Sequence, residues 1–200
     1  SLPEVPVLAL TATATPAVAD DIQERLHFRE KNVLKKSFRR ENLQYVVREV
    51  GRSQNPAGGT PASPVGDGRE EKIAQIVHIL SRVGGSAIVY VRNRKRAQEV
   101  AEILSASHIS ADFYHAGLSP KERHSKQEQW KRGETRVMVC TNAFGMGIDK
   151  PDVRVVLHHD LPDSLEAYYQ EAGRAGRDGK TAYAVLLYHP SDRAKAKRRV

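Results

Sequence analysis

The chain switches period repeatedly between residue 73 and residue 188, and this limits what it can fold into more than any other feature. Ile73, Ile76, Val77 and Leu80 recur at i, i+3, i+4 and i+7, the apolar stripe of a helix. Residues 87–91 then form a continuous apolar strand-like run. Ala97, Val100, Ala101 and Leu104 return to helical spacing, and residues 111–114 are a second short strand. Ser119-Pro120-Lys121-Glu122 has the form of a capping box with proline at the first helical position, and Gly133 suits the stop. Further strands are expected at 137–140, 153–158 and 182–188, with a short helix from about Ser164. Strands separated by helices of this length need crossover connections, so the fold is α/β, a mainly parallel sheet with helices on both faces.

Upstream, residues 5–10 are an apolar strand-like run. Thr15-Pro16 reads as a helix start continuing to about Leu26, and residues 43–47 form another strand. Residues 51–68 are rich in Gly, Pro, Ser and Asn without periodicity, as a flexible linker or loop would be. In an open parallel sheet, ligands bind outside the carboxyl ends of the strands. Chemistry is therefore expected just after Val91, Tyr114, Cys140 and His158.

Composition narrows the function. No apolar run approaches the roughly 18 residues that span a bilayer, so no membrane segment is expected. Ser1-Leu2-Pro3-Glu4 lacks the basic start of a signal peptide. The single cysteine, Cys140, supplies neither a disulfide framework nor a multi-cysteine zinc site, and a reducing, cytoplasmic location is expected. Lys and Arg number 32 against 24 Asp and Glu, a net charge of +8 with a pI near 9.7, which favours a polyanionic partner. The basic residues cluster at Lys35-Lys36 with Arg39-Arg40, at Arg92-Asn93-Arg94-Lys95-Arg96, and from Arg193 to Arg199.

Four segments hold the candidate chemistry. In Gln170-Glu171-Ala172-Gly173-Arg174-Ala175-Gly176-Arg177-Asp178-Gly179, Arg174 and Arg177 are three apart and project together from a helical turn. Adjacent guanidiniums repel unless an anion sits between them, and their planar forks suit phosphate oxygens. In Thr141-Asn142-Ala143-Phe144-Gly145-Met146-Gly147-Ile148-Asp149-Lys150-Pro151 the glycines permit a tight loop after a buried strand, although Phe144, Met146 and Ile148 suit core packing equally well. Arg92-Asn93-Arg94 offers donors to phosphates. Tyr114-His115-Ala116-Gly117 is a strand-to-helix turn whose histidine, taken alone, reads as structural.

In this order, and with Thr11-Ala12-Thr13 ahead of them, these segments resemble motifs III to VI of the RecQ family of superfamily 2 DNA helicases. The resemblance covers about residues 5–28 and 70–192 and is most specific at 143–151 and 168–179. It implies a RecA-like (P-loop NTPase-type) lobe, with residues 1–30 as the end of a first lobe (a strand and a helix). Residues 31–192 would be the second lobe, interrupted by a flexible insertion at about 51–69, and 193–200 the basic start of a following segment. It implies an ATP-dependent 3′–5′ helicase serving DNA repair and recombination, with ATP and Mg²⁺ as cofactors and single-stranded, forked or duplex DNA as partner. Arg174 and Arg177 would reach the γ-phosphate with Gln170 placing them, and Gly147 and Asp149 would border the nucleotide. Arg94, His115, Gly117, Thr141, Asn142, Thr11 and Thr13 would face DNA or link it to the nucleotide.

No Gly-x-x-x-x-Gly-Lys-Ser/Thr and no Asp-Glu-x-His occurs, so the Mg²⁺ ligands are expected in the first lobe and this chain by itself is expected to hydrolyse no ATP. No zinc site is expected. An RNA-directed superfamily 2 lobe shares the same arginine pair, and a non-enzymatic nucleic-acid-binding module is a further alternative. A dinucleotide-dependent oxidoreductase lacks its Gly-x-Gly-x-x-Gly.

Overall fold

The computed structural model describes residues 7–11, 14–28, 30, 32–34, 40–51, 68–144 and 149–192. The expected insertion at 51–69 and the basic tail at 193–200 lie largely outside them. The chain divides into two units, residues 1–40 and 41–200.

In the first unit, α1 (Pro16–Arg25) starts where the sequence indicates. The Thr15 hydroxyl accepts the Val18 N–H at 3.3 Å, and Pro16 takes a place where no N–H is needed. The strand expected at 5–10 does not form in its described part. Residues 7–10 have no regular structure, and Val7, Leu8 and Leu10 are exposed. An apolar run becomes a strand only when a neighbour takes up its backbone N–H and C=O groups, and these residues have no place in the sheet.

The second unit is a six-stranded sheet, in chain order β1 (Leu43–Glu49), β2 (Ser86–Tyr90), β3 (Ala111–Tyr114), β4 (Val137–Cys140), β5 (Val153–His158) and β6 (Ala182–Tyr188). Their spatial order is β1-β6-β5-β2-β4-β3, and every pairing is parallel. The connecting helices are α2 (Arg69–Arg82), α3 (Arg94–Ala106), α4 (Pro120–Arg132) and α5 (Leu165–Ala172).

Strand alternation makes two cores. Ala87, Val89, Val137, Val139, Val155 and Leu157 point to one face, where α2 supplies Ile76 and Leu80 and α3 supplies Ala97, Val100, Ala101 and Leu104. Ile88, Tyr90, Met138, Cys140 and Val156 point to the other, covered by Trp130 of α4, Phe144 and Ala172 at the end of α5. Full burial of each large apolar side chain contributes about 1.5–3 kcal/mol. The capping box on α4 forms as written, Ser119 and Glu122 bonding reciprocally, and the helix ends at Gly133.

One buried ion pair closes the unit. Lys72, near the start of α2, has its ammonium 2.6 Å from an Asp192 oxygen and 2.7 Å from the His159 carbonyl. It thereby joins α2 to the chain after β5 and after β6.

Candidate functional site

The sheet's register continues past the carboxyl ends of its central strands. Val91 N–H donates to the Cys140 carbonyl (2.8 Å), Thr141 N–H to Tyr114 (3.3 Å) and His159 N–H to Tyr90 (3.0 Å). The loops after β2, β3, β4 and β5 are thus held side by side, which places Arg92–Arg94, His115–Gly117, Thr141–Asn142 and His159–Asp163 along one rim. Asn93 accepts the Arg96 N–H at 2.8 Å and caps α3, starting the helix at Arg94. The Arg94 guanidinium lies over Gly117, where a Cβ would come within 2.6 Å of Nη1, so glycine permits the close approach. His115 stacks on Phe113 with ring centroids 5.6 Å apart. Thr141 is buried and holds its turn by accepting the Phe144 N–H at 3.0 Å, while Asn142 is exposed. Arg94, His115, Gly117, Thr141 and Asn142 therefore share one rim. Thr11 lies in the other unit, and Thr13 and Gly147 lie outside the described residues.

The arginine pair is elsewhere. Helix α5 runs back along the sheet face, and its C-terminal turn delivers the chain to the amino end of β5 before β6 begins. There Gly176 N–H donates to the Val153 carbonyl (2.8 Å) and Asp178 N–H to Pro151 (3.1 Å). The sequence rule that chemistry sits outside the carboxyl ends therefore misses this segment. The helical turn expected to present both arginines has also ended, at Ala172. Gly176 reverses the chain at φ 62°, and Asn42 donates to the Gly176 (2.7 Å) and Lys180 (2.9 Å) carbonyls to fix the reversal.

Arg177 remains exposed, its Nη1 3.0 Å from an Asp149 oxygen that is itself in solvent. Arg174 is half-buried and hydrogen-bonds the Tyr90 hydroxyl, which donates to the Phe144 carbonyl at 3.3 Å. Burial pushes the Tyr90 phenol well above its ordinary range and does the same to the Cys140 thiol, so neither ionises at neutral pH. Both arginines border a small crevice with Ile88, Trp130, Phe144, Lys150 and Val153. Gln170 is exposed on α5. Its neighbour Glu171 meets His158 at 2.9 Å, and that ring stacks on Tyr90 at 5.3 Å.

Asp160 and Lys72 had no motif to announce them. Asp160 does follow a buried strand, which is the available signal; Lys72 looks in the sequence like any helical surface lysine. Among the described residues, no three His, Cys, Asp or Glu side chains are grouped to hold a metal ion.

A parallel six-stranded sheet with helices on both faces, a polar rim at the carboxyl edge and an arginine pair on one face defines a RecA-like helicase C-terminal lobe. The chain belongs to the helicase conserved C-terminal domain family, whose model matches residues 71–179. It is 42% identical over 190 residues to a putative ATP-dependent DNA helicase Q1 of Caenorhabditis briggsae and 41% identical over 186 residues to the ATP-dependent DNA helicase RecQ of Bacillus subtilis. The alignments cover 94% and 93% of this chain and 28% of each relative, so the chain spans under a third of their length. A putative ATP-dependent RNA helicase of Acanthamoeba polyphaga mimivirus is 41% identical over 192 residues, with 96% of this chain and 32% of that protein covered. Among solved structures, the Escherichia coli DEAD-box protein SrmB superposes with a TM-score of 0.63 at 26% identity, covering 81% of this chain and 88% of that one. Saccharomyces cerevisiae Dbp5 reaches 0.71 at 20% identity, covering 94% and 44%, a likeness of fold.

Proposed function

We propose that this chain is the second motor lobe of an ATP-dependent, 3′–5′ RecQ-type DNA helicase. Residues 1–30 are the end of the first lobe, residues 31–192 the second lobe, and residues 193–200 the basic start of a further segment. In this reading Arg177 and Arg174 address the phosphates of ATP, which binds with Mg²⁺ against ligands supplied by the first lobe. The carboxyl rim holds the backbone of single-stranded DNA.

The observation that carries the reading is the character of the Arg177–Asp149 pair. Exposed pairs of this kind are worth about 0–1 kcal/mol. A triphosphate offers a guanidinium more charge and several acceptors, so it displaces Asp149 at little cost. Arg174, half-sequestered by Tyr90, is held beside it. Asp149 freed by that exchange would be the element that responds to nucleotide. At the rim, Arg94, His115 and Asn142 offer donors, and among the described residues no base-reading helix or ribbon stands beside them, which suits contacts to phosphate and sugar.

The mimivirus relative's name gives the RNA-directed reading a specific footing. Comparing ATP turnover by the complete protein with single-stranded DNA and with RNA of the same sequence separates the two. The DNA reading expects strong stimulation by DNA and little by RNA; the reverse order overturns it.

A further inference from the structure

We propose that Asp160 is a positioning residue for the nucleic-acid rim: its carboxylate fixes the loop after β2 so that Arg94 presents its guanidinium over the Gly117 turn. The inference rests on the proposal that this rim holds nucleic acid.

Asp160 is the second residue past β5, on the strand that neighbours β2. Its Oδ2 accepts the Arg92 backbone N–H at 3.0 Å, and the next carbonyl, Leu161, accepts Arg92 Nη2 at 2.7 Å. Asp163 lies 4.0 Å from the same guanidinium. The loop after β5 thus grips Arg92 by backbone and side chain together. The following residue, Asn93, caps α3, and the one after it is Arg94. Each step fixes the next, so Arg94 inherits its place from the anchor at Asp160.

The anchor is itself braced. Its carboxylate oxygen is 3.1 Å from His159 Nδ1, and the His159 carbonyl is held by the buried Lys72 ammonium at 2.7 Å. Burial opposes the charge on Asp160, but the His159 ring, the Arg92 N–H and the Lys72 ammonium outweigh it and hold the carboxyl down at about 2. An ionised carboxylate facing inward from a rim that would attract phosphate serves the loop and not the ligand, because direct contact with a polyanion would be repulsive.

The test uses the complete protein carrying Asp160→Ala, Asp160→Asn or Arg94→Ala, with single-stranded DNA affinity measured across a salt series. Amide exchange at Arg92 is followed in the same variants. Asp160→Ala is expected to weaken binding up to about tenfold, no more than Arg94→Ala does, and to lower the salt slope in the same direction, because it acts through the Arg94 contact. Arg94→Ala is expected to reduce that slope by about one charge. Arg92 exchange should quicken in Asp160→Ala, and Asp160→Asn, which keeps the shape and an acceptor, should fall between Asp160→Ala and the unaltered protein. Unchanged affinity, tighter binding or unchanged Arg92 exchange in a folded Asp160→Ala protein overturns the positioning role while Arg94→Ala still weakens binding. If Arg94→Ala has no effect, the nucleic-acid reading of the rim fails and the inference fails with it.

Discussion

Arg177 and Lys72 are each paired with an aspartate, and their surroundings give the two pairs opposite meanings. The Arg177 and Asp149 side chains are 40% and 81% exposed, so water and salt screen them and the pair is available for exchange. The Lys72 and Asp192 side chains are 2% and 8% exposed, so removing one partner strands a charge where water does not reach. Lys72→Met is accordingly expected to destabilise the chain by about 3–5 kcal/mol in urea unfolding, whereas Arg177→Met should change it by less than about 1 kcal/mol. A small effect at Lys72 would show that Asp192 is satisfied without it. Asp160 adds a pH dependence of known sign. Its carboxyl is lowered from 3.8 to about 2 on folding. Its contribution, about 2 kcal/mol, is therefore fully present above the unfolded value and is lost as pH falls through about 2. Between about pH 5 and pH 2 the stability of the chain should drop, and Asp160→Asn should flatten that part of the curve.

Helices and turns differ in how far their causes lie along the chain. The α3 stripe and the Ser119–Glu122 box are local patterns of three to seven residues, which is why both were legible in the sequence and both formed. So were all six strands of the sheet. The turn after α5 was not, because what bends it is distant: Asn42 reaches the Gly176 carbonyl from 134 residues away. Its glycine is doubly constrained, by φ 62° and by neighbours at 2.7 to 2.9 Å from where a Cβ would stand. Gly176→Ala is expected to cost at least about 1–2 kcal/mol, from the left-handed backbone alone, and to lower Tm. An unchanged melting curve would mean that the turn is free to rearrange. Residues 7–10, the described part of the strand expected at 5–10, illustrate the converse, since apolar composition there leaves exposed coil.

At the scale of the molecule, the second unit separates its two candidate chemistries. The rim at the carboxyl edge groups polar and basic side chains, while the arginine pair lies where α5 brings the chain to the amino end of β5. They are joined through one continuous path of contacts, from Tyr90, bonded to Arg174, along β2 to the loop that carries Arg94. The family resemblance divided the two groups, but spacing along the chain did not place the arginine turn at the amino end of β5. Only the direction of α5 across the sheet decides which end a residue reaches, and spacing along the chain does not encode it. The central claim, that Arg177 exchanges an exposed aspartate for phosphate, is tested most directly by DNA-stimulated ATP turnover in the complete protein with Arg177→Ala. Turnover should fall by about 10³-fold or more with single-stranded DNA affinity unchanged. Turnover that survives the substitution would contradict the claim.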